Sequence, residues 1–148
     1  MKEATGGSVT LFFIMIGIVV TIGYLAFNIN YTKAFRMKDK IISVYNDRKG
    51  VCDNTCVAEI SEYAKSIGYN NNNSIDCTGY DKKDQTGLYC YSKIIANKQT
   101  EDGAVKDEKD EYYYKISTKI YLEIPIISNV LNFRIFYITG DTKLFKEK

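Results

Sequence analysis

The stretch that decides the fold is VTLFFIMIGIVVTIGYLAFNI, which runs from Val9 to Ile29. It holds 21 residues and no charged side chain. At a rise of about 1.5 Å per residue, a helix of this length matches a bilayer core of about 30 Å. Thirteen of its residues are Val, Ile, Leu or Phe, and together they favour membrane insertion by about 6 kcal/mol. The sequence therefore predicts a transmembrane helix.

Two other interpretations of this segment are less well supported. A cleaved signal peptide normally has a shorter apolar core and a small-x-small cleavage site, whereas Asn28 to Thr32 offers no such site. A buried helix of a soluble protein would need a core that the remaining hundred or so residues do not easily supply. We therefore favour a retained anchor.

A helical pattern continues beyond the apolar segment. Apolar residues recur at helical spacing, with charged residues on much of the opposite side. The residues of this stripe are Ala34, Met37, Ile41 and Val44/Tyr45. We predict one helix from about Ser8 to Asn46 that ends near Gly50, and we expect its stripe to pack on the chain's own sheet, on a neighbouring subunit, or on both.

The second half of the chain predicts one short helix and several strands. Apolar spacing indicates a helix from Asn54 to Ile67, ended by Gly68. Leu88 to Ala96 is a candidate strand, and Tyr112 to Ile124 alternates over thirteen residues as in an antiparallel sheet covered on one side. Asn132 to Thr139 predicts a further strand.

Gly140-Asp141 is of the Gly-X type that closes two-residue hairpins, so we expect a turn there, with Lys143 to Phe145 as the returning strand. The predicted fold class is α+β: a long N-terminal transmembrane and amphipathic helix packed on a small antiparallel sheet of three or four strands. The expected organisation is a short leader or cytoplasmic tail (1–7), the anchor and stalk helix (8–49) and an α+β head (50–148).

Charge and cysteine content give opposite answers about orientation. Residues 30–50 hold six Lys/Arg and two Asp, a basic collar that suits a headgroup surface and would place the following chain in the cytoplasm. All four cysteines follow residue 50, which indicates an oxidising compartment instead. We give the cysteines more weight and expect a single-pass protein of the cell membrane with its head outside the cytoplasm.

The four cysteines are Cys52, Cys56, Cys77 and Cys90. A zinc site usually shows two close pairs, and redox catalysis usually needs Cys-x-x-Cys, so two disulfides are favoured over both. Three pairings are open. A bridge from Cys52 to Cys56 would constrain little, so we expect the first two cysteines to pair with the last two and tie the helical part to the sheet.

Other features point away from catalysis and from nucleic acid. The chain has no histidine, which excludes Ser-His-Asp and Cys-His arrangements, and Gly6-Gly7 is not followed by a phosphate-loop pattern. The acidic stretch from Lys98 to Glu111 does not match an EF-hand and is interpreted as a solvated loop. We expect no enzyme activity, no cofactor, no metal and no nucleic-acid partner.

The segment TGGSVTLFF (5–13), the amphipathic continuation and the segment IYLEIPII (120–127) before a strand pair resemble the type IV pilin superfamily and its TadE-like minor pilins. This resemblance implies that a prepilin peptidase cuts after Gly7, leaving Ser8 as the first residue. It implies a structural or assembly role as a minor pilin or pseudopilin, with membrane lipid and other pilin-like subunits as partners. Gly17 and Thr21, at small-xxx-small spacing, would then allow close packing between helices.

Two other functions are compatible with these residues. The first is a monomeric anchored surface module whose tyrosine-rich sheet binds a protein or glycan, since tyrosine gives large contact area at low entropic cost. The second is a regulatory or metal-binding membrane protein whose head faces the cytoplasm, an orientation that the basic collar suggests. It would require reduced cysteines or bound zinc.

Overall fold

The computed structural model describes residues 2–69, 75–96, 111–120 and 136–146, with side chains from residue 7 onward. Helix α1 runs from Lys2 to Asp47 as one continuous element of 46 residues, so the predicted long helix is confirmed and begins earlier than Ser8. It ends where Lys49 and Gly50 adopt positive φ angles of 52° and 81°. The Gly50 amide donates to the Tyr45 carbonyl at 2.8 Å, which closes the last turn.

Helix α2 runs from Asn54 to Ser66, close to the predicted Asn54 to Ile67. Asp53 caps it, because its carboxylate accepts the Cys56 amide at 2.9 Å. The buried face consists of Cys56, Ile60 and Ala64. Because Arg48 binds Asp53 at one end and Lys33 binds Gly68 at the other, α2 runs antiparallel to α1.

The sheet is antiparallel throughout, in the order β1-β2-β3-β4, with β5 also paired to β3. The strands are β1 (Lys82–Lys83), β2 (Tyr89–Ala96), β3 (Glu111–Ile120), β4 (Phe136–Asp141) and β5 (Phe145–Lys146). The predicted strands at 88–96 and from residue 112 are confirmed, and the strand predicted from 132 is present from Phe136. The predictions for 70–73, 98–110 and 121–135 lie outside the described residues.

The predicted hairpin at Gly140-Asp141 is wrong. Both residues belong to β4, where Gly140 pairs with Ile116 and Asp141 with Lys115. The chain does not reverse there but bends and continues along the same partner strand, where Phe145 pairs with Tyr112. Thr142 holds the bend, because its hydroxyl accepts the Tyr114 amide at 2.9 Å and its amide donates to the Tyr114 carbonyl at 3.0 Å.

The core lies between α1, α2 and one face of the sheet. The stripe on α1 is buried as predicted, with Ala34, Met37 and Ile41 fully covered by the chain's own side chains. Residues of α2 and the sheet complete the core: Ile60, Ala64, Leu88, Tyr89 and Ile116. The α+β layout of a long apolar helix and a small antiparallel sheet is therefore present.

The outer face of the sheet, which is turned away from α1, is more buried near its centre than a sheet covered on one side would be. Ser117 points to this face, opposite the apolar face of the strand, yet its side chain is fully buried. It pairs across the ladder with Cys90, whose disulfide to Cys77 lies on the same face. The segment that carries Cys77 also buries Ile75, so the sheet is partly covered on both sides.

Candidate functional site: an uncovered apolar helix below a disulfide-bonded head

The first half of α1 presents apolar side chains that nothing in the described part of the chain covers. Leu11 and Phe13 are each 65% exposed, whereas Ala34 and Met37 farther along the same helix are 0% exposed. Large apolar residues are exposed around the whole circumference from Val9 to Ile29. An exposed helix that is apolar on all sides is typical of a segment surrounded by lipid or by other protein.

Among the described residues, α1 is the one helix that is both long enough and apolar enough to cross a membrane, judged by length and composition. Gly17 lies in this part, and a Cβ added to it would meet nothing within 4 Å. The Thr21 hydroxyl donates to the Gly17 carbonyl at 2.8 Å, so its polar group is satisfied within the helix. Gly17 and Thr21 therefore form a smooth, small-residue patch on an exposed helix.

Aromatic rings mark the transition from the exposed to the buried part of α1. Phe27, Tyr31 and Phe35 stack along one face, with ring centroids 6.2 and 6.3 Å apart. The Lys38 ammonium lies 3.9 Å from the centre of the Phe35 ring, a cation–π contact. This row extends the exposed apolar surface to the level at which the head begins.

Half of the basic collar binds the head. The Lys33 ammonium donates to the Gly68 carbonyl at 3.1 Å, and Lys40 binds Glu59 at 2.7 Å. Arg48 binds Asp53 at 2.9 Å and Glu59 at 3.3 Å. These collar cations therefore fasten α2 to α1, a role that their clustering in the sequence did not reveal.

The two carboxylates of this network have lowered pKa values. The pKa of Glu59 falls chiefly because Lys40 donates a hydrogen bond to it, with Arg48 adding to the effect. The pKa of Asp53 falls chiefly through the hydrogen bond from the Thr55 hydroxyl and then through the Cys56 amide. Both groups are exposed to water, so they orient the two helices more than they stabilise them.

Tyrosines form the upper part of the core. Tyr45 of α1 meets Tyr89 edge-on, with hydroxyl oxygens 3.2 Å apart, and its ring lies 5.2 Å from that of Tyr114. Burial raises the pKa of Tyr45 to about 12 and raises that of Tyr89 further. The inner tyrosines therefore pack on α1, which removes much of the exposed tyrosine surface that a binding sheet would need.

Tyr69 binds the end of β3 on the side where β2 no longer pairs with it. Its hydroxyl donates to the Lys119 carbonyl at 2.7 Å and accepts the Lys119 amide at 3.1 Å. Lys119 lies beyond the end of the pairing between β2 and β3, which stops at Tyr89 and Thr118. Burial raises the pKa of Tyr69 to about 12. Local sequence patterns contain no signal for this contact between residues fifty positions apart.

All four cysteines are paired, but the expected pairing is wrong. Cys52 binds Cys56 and Cys77 binds Cys90, with Cα atoms 5.2 and 5.6 Å apart. The helical part is therefore not tied to the sheet by disulfides. The physical reason is location: Cys52 lies just before α2 and Cys56 in its first turn, whereas Cys90 points to the outer face of the sheet.

Paired in this way, the four sulfurs are not available as zinc ligands. Within the described ranges, no three His, Cys, Asp or Glu side chains lie close enough together to hold a metal ion. A shallow depression of about 640 Å³ lies on the outer side of the sheet, bordered by Asp81, Ser92 and Lys115. It is open to solvent, and the Ser92 hydroxyl in it accepts a hydrogen bond from the Asp81 amide at 2.9 Å.

The candidate site is therefore the exposed part of α1 itself, with the head fastened directly above it by the collar. Gly7 lies in this exposed part, and the cleavage expected after it remains a prediction. Comparison with protein families, with curated proteins and with solved structures finds no match to this chain.

Proposed function

We propose that this protein is a structural or assembly subunit of a pilus-like or secretion-associated envelope filament, a minor pilin or pseudopilin, anchored by its N-terminal helix. One observation carries the proposal: α1 is a single continuous helix whose first half is apolar and uncovered while its second half is the spine of the head. Such a helix can be held by lipid before assembly and by like helices after assembly, without refolding the head.

The resemblance of the N-terminal segment to type IV pilins also supports this role. Cleavage after Gly7 would leave Ser8 as the first residue, directly before the apolar run. The subunit would then sit in the cell membrane with its head outside the cytoplasm, where the two disulfides are stable. Its partners would be lipid and the N-terminal helices of other pilin-like subunits.

The intact mass of protein purified from its native membranes without reductant tests this proposal. We expect the loss of residues 1–7 and a deficit of four hydrogens. Gly7→Val should prevent processing, whereas the matched control Gly6→Val should leave it in place. Because Gly6 and Gly7 are neighbours in α1, a difference between the two variants reports cleavage specificity rather than folding.

A photo-reactive residue at Ile18, which is exposed in the chain alone, tests assembly. We expect cross-links to another copy or to a second small apolar-helix protein. The same residue placed at Val51, beyond the end of α1, should cross-link far less. An unprocessed N-terminus together with only lipid adducts at Ile18 would contradict the proposal and favour an anchored monomeric module.

A further inference from the structure

No gap separates the exposed part of α1 from the head. Lys33 donates to Gly68, and the Ala34 carbonyl accepts the Thr118 hydroxyl at 3.2 Å. These contacts begin four to five residues after Ile29, or about 6–8 Å along a helix. Headgroups extend roughly 5–7 Å beyond the hydrocarbon core on each side. If Ile29 lies at the edge of the core, one end of the head lies among the headgroups.

The strand direction identifies this end. Thr118 of β3 contacts α1 at Ala34, whereas Gly50 at the far end of α1 lies against Tyr114 and Phe145. Strand β3 therefore runs antiparallel to α1 and ends near the membrane side. Through the register, Phe136 lies beside Ile120 and Tyr137 beside Lys119, so the first residues of β4 are also at this end.

Aromatic side chains are exposed at this end of the head. Phe136 is 49% and Tyr137 41% exposed, although both belong to a strand of the sheet. Tyr31 and Phe35 of α1, at the same level, are exposed to a similar degree. We call these four residues the proximal rim. Tyrosines are enriched where membrane proteins meet the headgroup layer, and phenylalanine is among the apolar residues that interfacial segments bury at this boundary.

Two exposed cations lie near the level of the proximal rim. Arg36 is exposed on α1 beside Phe35, and Lys65 is exposed in the last turn of α2, which ends near Lys33. Asp76 is a carboxylate close enough to influence Tyr137. Cations on both helices at this level complement anionic lipid headgroups, at roughly 1 kcal/mol for each Lys or Arg near the surface.

We propose that the proximal rim is a lipid-contact surface on which the head rests against an anionic headgroup layer, so that the subunit is held upright in the membrane. The proposal rests on the membrane anchoring that the proposed function requires. A contact of this kind would limit the tilt of the head and present its outer face at a constant height.

The absence of tryptophan from the chain makes the test direct. Three single-tryptophan variants of the full chain, Phe136→Trp, Val51→Trp and Val19→Trp, are reconstituted in bilayers of phosphatidylcholine with a minority of phosphatidylglycerol. Lipids that carry a nitroxide on the headgroup, or deep on the acyl chain, quench tryptophan at the corresponding depth. Val51 is exposed and lies beyond the far end of α1, about 20 Å from Phe35 along the helix axis, so it is the matched control.

We expect headgroup nitroxides to quench Phe136→Trp several-fold more than Val51→Trp, and acyl-chain nitroxides to quench Val19→Trp. Equal weak quenching at positions 136 and 51, with Val19→Trp still quenched, would overturn the lipid contact and leave the anchor intact. Loss of quenching at position 19 would overturn both. Tyr137→Trp provides a second reporter on the opposite face of β4, should Phe136→Trp alter the fold.

Replacing the phosphatidylglycerol with phosphatidylcholine tests the role of charge. We expect the quenching of Phe136→Trp by headgroup nitroxides to fall in the neutral bilayer. In the anionic bilayer, adding the substitution Arg36→Gln should also lower this quenching. Quenching that is the same in both bilayers and unaffected by Arg36→Gln would contradict the anionic part of the proposal.

Discussion

Gly140 of β4 lies directly against Ile42 of α1: a Cβ added to Gly140 would come within 2.7 Å of the Ile42 Cδ1 and 3.0 Å of the Lys38 Cδ. Glycine at this position therefore allows the helix to approach the sheet. The same contact explains why a Gly-Asp pair that is typical of a hairpin turn lies within a strand here.

Gly140→Val is expected to lower the free energy of unfolding by about 1–3 kcal/mol, because it overpacks the contact between helix and sheet. Thr139→Val is the matched control, since it places the same side chain on the exposed face of the same strand, and we expect a change within about 0.5 kcal/mol. Urea unfolding in detergent, followed by tyrosine fluorescence, measures both. Equal midpoints for the two variants would show that α1 does not press on Gly140.

The disulfide pairing predicts unequal effects of removing the two bridges. The Cys77–Cys90 bridge joins residues 13 apart, and its loss in Cys77→Ala/Cys90→Ala should cost about 3 kcal/mol in the chain-entropy model. The Cys52–Cys56 bridge joins residues 4 apart, so Cys52→Ala/Cys56→Ala should cost less. Urea unfolding of the two double variants gives the comparison.

Tryptic peptides prepared without reductant check the pairing itself. Cleavage after Lys49, Lys65, Lys82, Lys83 and Lys93 should release residues 50–65 with an internal disulfide, and residues 66–82 joined to residues 84–93. A covalent link from 50–65 to either of the other peptides would instead support the cross-pairing expected from the sequence.

Alkaline pH should destabilise the head through its buried tyrosines. The pKa of Tyr45 is about 12 in the folded chain and about 10 when unfolded. The unfolded state therefore loses its proton first, and the stabilisation is complete below about pH 10 and lost towards about pH 12. This pKa difference of about two units corresponds to a loss of at most about 3 kcal/mol in the free energy of unfolding.

Tyr45→Phe should cost about 1 kcal/mol near neutral pH, because Tyr89 loses its hydroxyl partner, and should flatten the alkaline loss of stability. Tyr69→Phe removes the hydroxyl that contacts Lys119, and it tests at an independent site whether a buried phenol makes stability fall at alkaline pH. Urea midpoints measured from pH 8 to pH 12 report the slope. A slope that neither substitution changes would show that these phenols are not buried in solution.

Assembly should depend on Gly17, although a Cβ added there would meet nothing within 4 Å in the described part of the chain. Gly17→Leu adds an apolar side chain to an open surface, so the head should unfold at the wild-type urea concentration. If neighbouring helices approach closely at this glycine, cross-linked multimers should fall about tenfold, which corresponds to a loss of roughly 1.4 kcal/mol.

Ile18→Leu on the same helix is the control for Gly17→Leu and should leave the multimers unchanged. Wild-type multimer yields from Gly17→Leu would show that the small-residue patch does not form a close helix contact.

Local periodicity in the sequence was sufficient to predict α1, α2 and the main strands. The apolar run from Val9 to Ile29 and the stripe at Ala34, Met37 and Ile41 follow from helical spacing. The strand from Tyr112 follows from strict alternation, because side chains of neighbouring strand residues point to opposite faces. These features depend on residues close together in the chain, so they can be read before any tertiary contact is known.

The sequence by itself determined that this protein has a long apolar helix continuous with an amphipathic one, a small antiparallel sheet and four cysteines suited to disulfides. Only the tertiary structure decided which cysteines pair, that Gly140 lies inside a strand, that Ser117 is buried, and that collar cations bind α2. Each of these depends on how two distant segments meet. Side chains far apart in sequence carry no periodic signal of the surface that they will share.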